Sequence, residues 1–344
     1  MYRARPRVSW RRLLNLAVAV ISVGGLTWLI ATQHDQLSTA IAGITHARIG
    51  LVVAAVFCER TSMWSFARMQ RRLLRAGGHH LAVLSAGAIT FAANALSVTV
   101  PLAGPGLATA FTYREWGRRQ VSRPAAAFAL GVSGMLSTVS LLVILAAGAL
   151  ASGNPVAAIL GLLTAVGTTA VIGGAVLAVR LVPVRRRLER AAARIIGTAQ
   201  RLSRRPGAPP EEVVAGALRQ LADLHLRRRD WILALGWSFL NWLGDAACLA
   251  LSIKAVGLPV PLRDLLLVWS AGLAASTINL TPGGAGIVEA ALIAALVGTG
   301  APVARAVVAV LIYRLISLWL VILSGWIVFL IIRARRERRL DQPP

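Results

Sequence analysis

The feature that most constrains this chain is its division into long apolar runs with arginines crowded at their ends. The runs occupy 13–30, 49–69, 81–113, 125–150, 156–181, 231–256, 264–299 and 303–332. Several reach the ~20 residues that an α-helix needs to cross a bilayer. Lipid offers no partner for backbone N–H and C=O groups, so a run of this kind must satisfy them internally, as a helix. The residues are continuously apolar rather than alternating, which excludes a transmembrane β-barrel. With 57% hydrophobic and 15% charged residues and a mean hydropathy of +0.69, the chain reads as an all-α polytopic membrane protein.

The net charge of +24 would point to nucleic acid in a soluble protein. Here the arginines flank apolar runs, where they set orientation and meet anionic lipid head groups, so no nucleic-acid partner is expected. Five groups matter: Arg3 to Arg12, Arg68 to Arg75, Arg114 to Arg123, the connector 182–230 with twelve arginines against five acids, and Arg333 to Arg339. All five belong on the cytoplasmic side of a plasma (inner) membrane if basic residues stay inside. The first run, 13–30, follows an arginine-rich start without a clear cleavage motif and reads as a retained helix, with both termini cytoplasmic.

This rule conflicts with simple counting. Run 81–113 has basic clusters on both sides, so a single crossing would leave one outside. The conflict disappears if the chain turns within the membrane at "VPLAGPG", Val100 to Gly106, where two prolines and two glycines break the helix. The returning arm is expected over 107–113. Run 264–299 behaves in the opposite sense: the stretches 151–155 and 257–263 carry almost no charge and read as external, the tail after 303–332 as internal, so 264–299 begins and ends outside, breaking at "TPGGAG", Thr281 to Gly286. The expected architecture is about six full spans plus two re-entrant helical hairpins, in an inverted-topology repeat of the kind secondary transporters use. The whole chain, 1–344, is one membrane domain with half-repeats 13–150 and 156–332. The basic connector 182–230 is a cytoplasmic helical hairpin near head groups or a solvated linker.

The candidate site follows from the breaks. A helix that starts inside the membrane presents unpaired N–H groups and the positive end of its dipole, which suits an anionic group such as phosphate. Substrate-binding candidates are Asn279, Pro282, Gly283, Gly284, Gly286, Glu289, Arg314 and Arg60; Asn94, Pro101, Gly104 and Gly106 form the first break. Arginine suits bidentate phosphate binding. Charges at bilayer depth are costly and mark a pathway or a pair. That makes Glu59, Asp245 and Glu289 candidates for proton or charge coupling. Glu289 has three open roles: binding substrate, pairing with Arg314 or Arg60, or titrating. Asn94 and Asn279 sit where they would satisfy freed backbone groups. No catalytic motif is present, and the two cysteines, Cys58 and Cys248, are too few for a metal site. No enzyme activity, cofactor or metal is expected.

With those residues placed, the chain resembles the flippase-like transmembrane family named after lysylphosphatidylglycerol synthase. "TPGGAGIVEA" (281–290) is similar to that family's Pro-Gly-Gly-x-Gly-x-x-Glu signature, with "YRLISLWL" (313–320) and "TYREWG" (112–117) in support. The resemblance implies a membrane domain that moves or binds a lipid with an anionic head group. Aminoacyl transfer is not expected, because only thirteen residues follow Ile331. Members often carry an acidic residue in the first break; this chain has none there. Three readings result: a translocase of a lipid or lipid-linked precursor, a non-transporting partner of a separately encoded lipid- or glycan-modifying enzyme, or an exporter of cationic compounds.

Overall fold

The computed structural model describes residues 47–151, 227–277 and 281–340, with helical positions 159, 166–168 and 170. Run 13–30, most of run 156–181, nearly all of the connector 182–230 and Asn279 lie outside the described residues. Among the described residues every element is helical. They are α1 (Ile49–Ala76), α2 (Val83–Thr99), α3 (Gly104–Gly117), α4 (Arg123–Ala151), α5 (Arg228–Ala255), α6 (Leu262–Ser276), α7 (Ile287–Gly298), α8 (Val303–Arg314) and α9 (Val321–Leu340). A single 3-10 turn, Pro282–Gly284, precedes α7, and a π-helical stretch, Leu315–Leu320, joins α8 to α9.

The frame is an antiparallel pair, α1 and α5. At one end the Arg48 N–H donates to the Ala255 carbonyl over 3.0 Å. Midway Ser62 Oγ donates to the Asn241 carbonyl over 2.7 Å. At the other end Arg72 Nη2 meets Asp230 Oδ1 at 2.6 Å. Small residues permit this close approach: a Cβ on Gly244 would lie 3.0 Å from the Cys58 carbonyl and 2.9 Å from Ser62 Cβ. Helix α1 continues past its apolar run because arginine is a good helix former whose stem packs while its head reaches water. It stops where Gly77 and His79 return N–H bonds to the Leu73 and Leu74 carbonyls, with Gly78 at φ +80°.

Two helical hairpins hang on this frame from opposite ends. The first, α2–α3, begins just after α1 ends. Its two ends are tied together, for the Ser122 N–H and Oγ both face His79 Nε2, at 3.4 and 3.1 Å. The second, α6–α7, begins just after α5 ends, at the other end of the bundle. Here a Cβ on Gly272 would sit 2.6 Å from Leu292 Cδ2, so its arms are also tightly packed. The arms hold 17, 14, 15 and 12 residues. At ~1.5 Å per residue these reach ~26, ~21, ~22 and ~18 Å, all short of the ~30 Å apolar thickness of a bilayer. The tips meet: a Cβ on Gly283 in the second would stand 3.1 Å from Val98 Cγ1 in the first.

Four helical stretches among the described residues are long and apolar enough to cross a membrane: Ile49–Ala76, Arg123–Leu150, Arg228–Ala255 and Val303–Arg335. Their outer faces carry bare apolar side chains such as Phe57 and Ile327. Two expectations on boundaries are corrected, and the last span carries a feature of its own. The first return arm is not the short 107–113 but runs through Gly117, since Arg114 and Glu115 end the apolar run without ending the helix. The first break covers only Val100 to Ala103, because Gly104 and Gly106 already belong to α3. The last span is not uniform, being interrupted by the π-helical stretch directly after Arg314.

Candidate functional site

The second break is built by its glycines. Gly283, Gly284 and Gly286 have φ of +64°, +66° and +87°, a region that L side chains rarely adopt. Gly283 also lies in close packing, since a Cβ there would be 2.5 Å from Leu318 Cδ1. The loop closes on itself: the Gly284 N–H donates to the Thr281 carbonyl over 2.9 Å, and Thr281 Oγ1 donates to the Ala285 carbonyl over 2.9 Å. Glu289, in the first turn of α7, accepts the Gly286 N–H on Oε2 at 2.6 Å. This is the acidic half of a capping box and also complements the helix dipole.

Arg314 locks this loop. Its Nε donates to Glu289 Oε1 and its Nη2 to the Gly283 carbonyl, each over 2.6 Å. Both side chains are buried, Arg314 at 9% and Glu289 at 6% exposure. The sequence pointed to open backbone donors at the three glycines; two are already engaged, Gly284 by Thr281 and Gly286 by Glu289. The π-helical stretch starts one residue after Arg314. Such segments are often found at functional sites; here it places Leu318 against the loop.

The first break is less ordered by side chains. Leu102 sits at φ +57° with its side chain exposed, and the Ala103 N–H turns back to the Pro101 carbonyl. Gly104 is required by space, since a Cβ there would fall 2.0 Å from the Ser97 carbonyl, whereas Gly106 faces nothing within 4 Å. Asn94 does not serve the freed backbone; its amide reaches Met63 Sδ on α1 at 3.3 Å. Instead, Thr99 accepts the Trp326 Nε1–H over 3.1 Å, tying the tip to α9. An open groove of about 870 Å³ runs from Pro105 and Gly106 down α3 to Tyr113 and Arg114, with α4 as its other wall. It lies beside the first break, not beside Glu289.

A second polar cluster crosses the α1–α5 seam. Asp245, half-buried on α5, accepts Trp269 Nε1–H on Oδ2 at 2.7 Å and Tyr313 Oη–H on Oδ1 at 2.9 Å. The carboxyl of Glu59 comes within hydrogen-bonding reach of the Asp245 carboxyl. Arg60 lies over the Phe91 ring, 5.3 Å from its centroid, from where its charge still acts on Glu59. Of the residues singled out from sequence, the structure therefore brings together Pro282 to Gly286 with Glu289 and Arg314, and separately Glu59 with Asp245. Tyr313, Trp269, Thr99, Trp326 and Thr281 were not singled out. Tyr313 had a usable signal, standing next to a buried arginine.

The comparisons fit this geometry. The family model for the lysylphosphatidylglycerol synthase TM region matches residues 13–325. The chain belongs to that family. It is accordingly an integral membrane protein, helical and apolar, and the match runs through both hairpins and the glycine loop that Glu289 caps. In lysylphosphatidylglycerol synthases this region is the membrane part and not the catalytic part. No curated protein matches the chain.

Proposed function

We propose that this member of the lysylphosphatidylglycerol synthase TM region family is a translocase for a lipid, or lipid-linked precursor, with an anionic head group. The observation that carries the reading is the Arg314 clamp: a buried arginine held at a glycine loop by one carboxylate and one carbonyl. Glu289 then acts as an internal stand-in for the head group. A phosphate is likewise an anionic oxygen acceptor for a guanidinium and replaces the carboxylate on Arg314. The Gly286 N–H, released from Glu289, becomes a second donor. Substrate binding and loosening of the loop are thereby one event.

In this reading the two hairpins are re-entrant, entering from opposite faces as an inverted repeat, with both termini cytoplasmic in the plasma membrane. Short arms and touching tips support it, because alternating access needs a site at mid-depth reachable from either side. The groove ending at Arg114 is large enough for a ligand, within the ~300–1,000 Å³ usual for such pockets, and gives an acyl chain a path beside the first break.

The test is lipid movement in phosphatidylcholine vesicles containing a fluorescent phosphatidylglycerol. The full chain is expected to accelerate exchange between leaflets, with Glu289→Ala and Arg314→Ala each slowing it at least tenfold. Unchanged exchange in both variants removes these residues from the mechanism. No acceleration by the wild type over protein-free vesicles overturns the translocase reading in favour of a partner role for a separately encoded enzyme, which co-purification would then reveal.

A further inference from the structure

The Glu59–Asp245 cluster has a chemistry that the Arg314 clamp leaves unused. Both Asp245 oxygens already accept a donor, from Trp269 and Tyr313. Glu59 lies at 6% exposure and, among the described residues, its Oε2 has no partner. A buried, unpartnered carboxyl oxygen is thus set beside a second carboxyl. Carboxylates only accept hydrogen bonds, so two in contact need a proton between them. Without one they would set two like charges together in an apolar seam.

Two cations act on the pair, Arg60 on Glu59 and Arg314 on Asp245, and each makes its direct contact elsewhere. On α1, Cys58 precedes Glu59, and Arg60, next along, stacks on Phe91. On α5, Cys248 lies near the pair. On α6, Trp269 contributes a non-titrating N–H. On α8, Tyr313 donates to Asp245, while Arg314 is engaged by Glu289. Of the two cations, Arg314 is thus held by another carboxylate and Arg60 by an aromatic face.

We propose that Glu59 and Asp245 form a binding site for a single proton, linked to the glycine loop through the consecutive residues Tyr313 and Arg314. With the proton bound, Glu59 is a neutral acid donating to the Asp245 carboxylate. Loss of that proton to water leaves two carboxylates, and the added negative charge competes with Glu289 for Arg314. Weakening of the Arg314–Glu289 pair then frees the loop. The linkage is short because Tyr313 touches Asp245 while its neighbour Arg314 touches both Glu289 and Gly283. Its role in transport rests on the translocase reading; the proton site itself does not.

Two measurements on the full chain separate these points. Infrared spectra of the purified protein, taken across a pH series, should show a protonated-carboxyl C=O band that is lost on alkalinisation. The band should disappear in Glu59→Gln and in Asp245→Asn. A wild-type spectrum lacking the band at every pH overturns the site, as does a band unchanged in both variants; the wild-type result alone decides if a variant folds poorly. Displacement of the band by sodium chloride but not by choline chloride also overturns it, identifying a sodium site instead. The second measurement uses the fluorescent phosphatidylglycerol vesicles under an imposed pH gradient. The gradient should change the wild-type rate severalfold, and that dependence should vanish in Glu59→Gln. Wild-type exchange indifferent to the gradient overturns the coupling. Absence of any exchange fails the translocase reading and leaves the infrared result standing on its own.

Discussion

Arg314 and Glu289, twenty-five residues apart in sequence, meet Nε to Oε1 at 2.6 Å with both side chains buried. Neither group stands alone in the apolar bundle, and the same arginine fixes the Gly283 carbonyl. Removing one member strands the other. Glu289→Gln or Arg314→Met alone should lower stability on the order of 3–5 kcal/mol. The double variant should cost clearly less than the sum of the two. Chemical denaturation in detergent measures all three; additive losses would show that the residues act independently.

The glycines at the two hairpin tips should rank by geometry. Gly106→Ala meets open space and should be near neutral. Gly286→Ala also meets open space, but its φ of +87° adds strain of roughly 1–2 kcal/mol. Gly283→Ala combines a φ of +64° with a contact 2.5 Å from Leu318 Cδ1 and should be the worst. Leu318→Ala in the same chain should recover part of that loss. Thermal unfolding gives the order, and a Gly106→Ala loss as large as that of Gly283→Ala would contradict it.

The opposed hairpins make a sidedness prediction. With Cys58 and Cys248 replaced, single cysteines at His80 and Gln120 should react with a membrane-impermeant thiol reagent from one side. Cysteines at Lys254 and Thr299, all four positions being exposed, should react from the other. Labelling of all four from the same face would end the inverted-repeat proposal.

Tip docking should be visible in one hydrogen bond. Trp326→Phe keeps an aromatic ring against Phe329, now 5.2 Å away between centroids, but removes the donor to Thr99. The expected loss is about 0.5–1.5 kcal/mol, and it should be absent in a Thr99→Val background. A full effect of Trp326→Phe in that background would mean the bond is not what holds the tip to α9.

The sequence by itself determined where helices lie and where they break. Apolar runs in lipid leave the backbone no alternative to the helix, and three glycines behind a proline cannot continue one. Arginine placement also indicated that two runs turn back. What only the tertiary structure decided is which polar groups face each other. Glu289 had three open roles until Arg314 was seen against it, and Asn94 was directed at the break when it reaches Met63. The Glu59–Asp245–Tyr313 cluster joins residues on three helices, spread across more than two hundred positions of chain. Helical periodicity states which residues share a face. Only the packing of α1 on α5 and α8 states which faces meet, and a buried charge takes its chemistry from the group it meets.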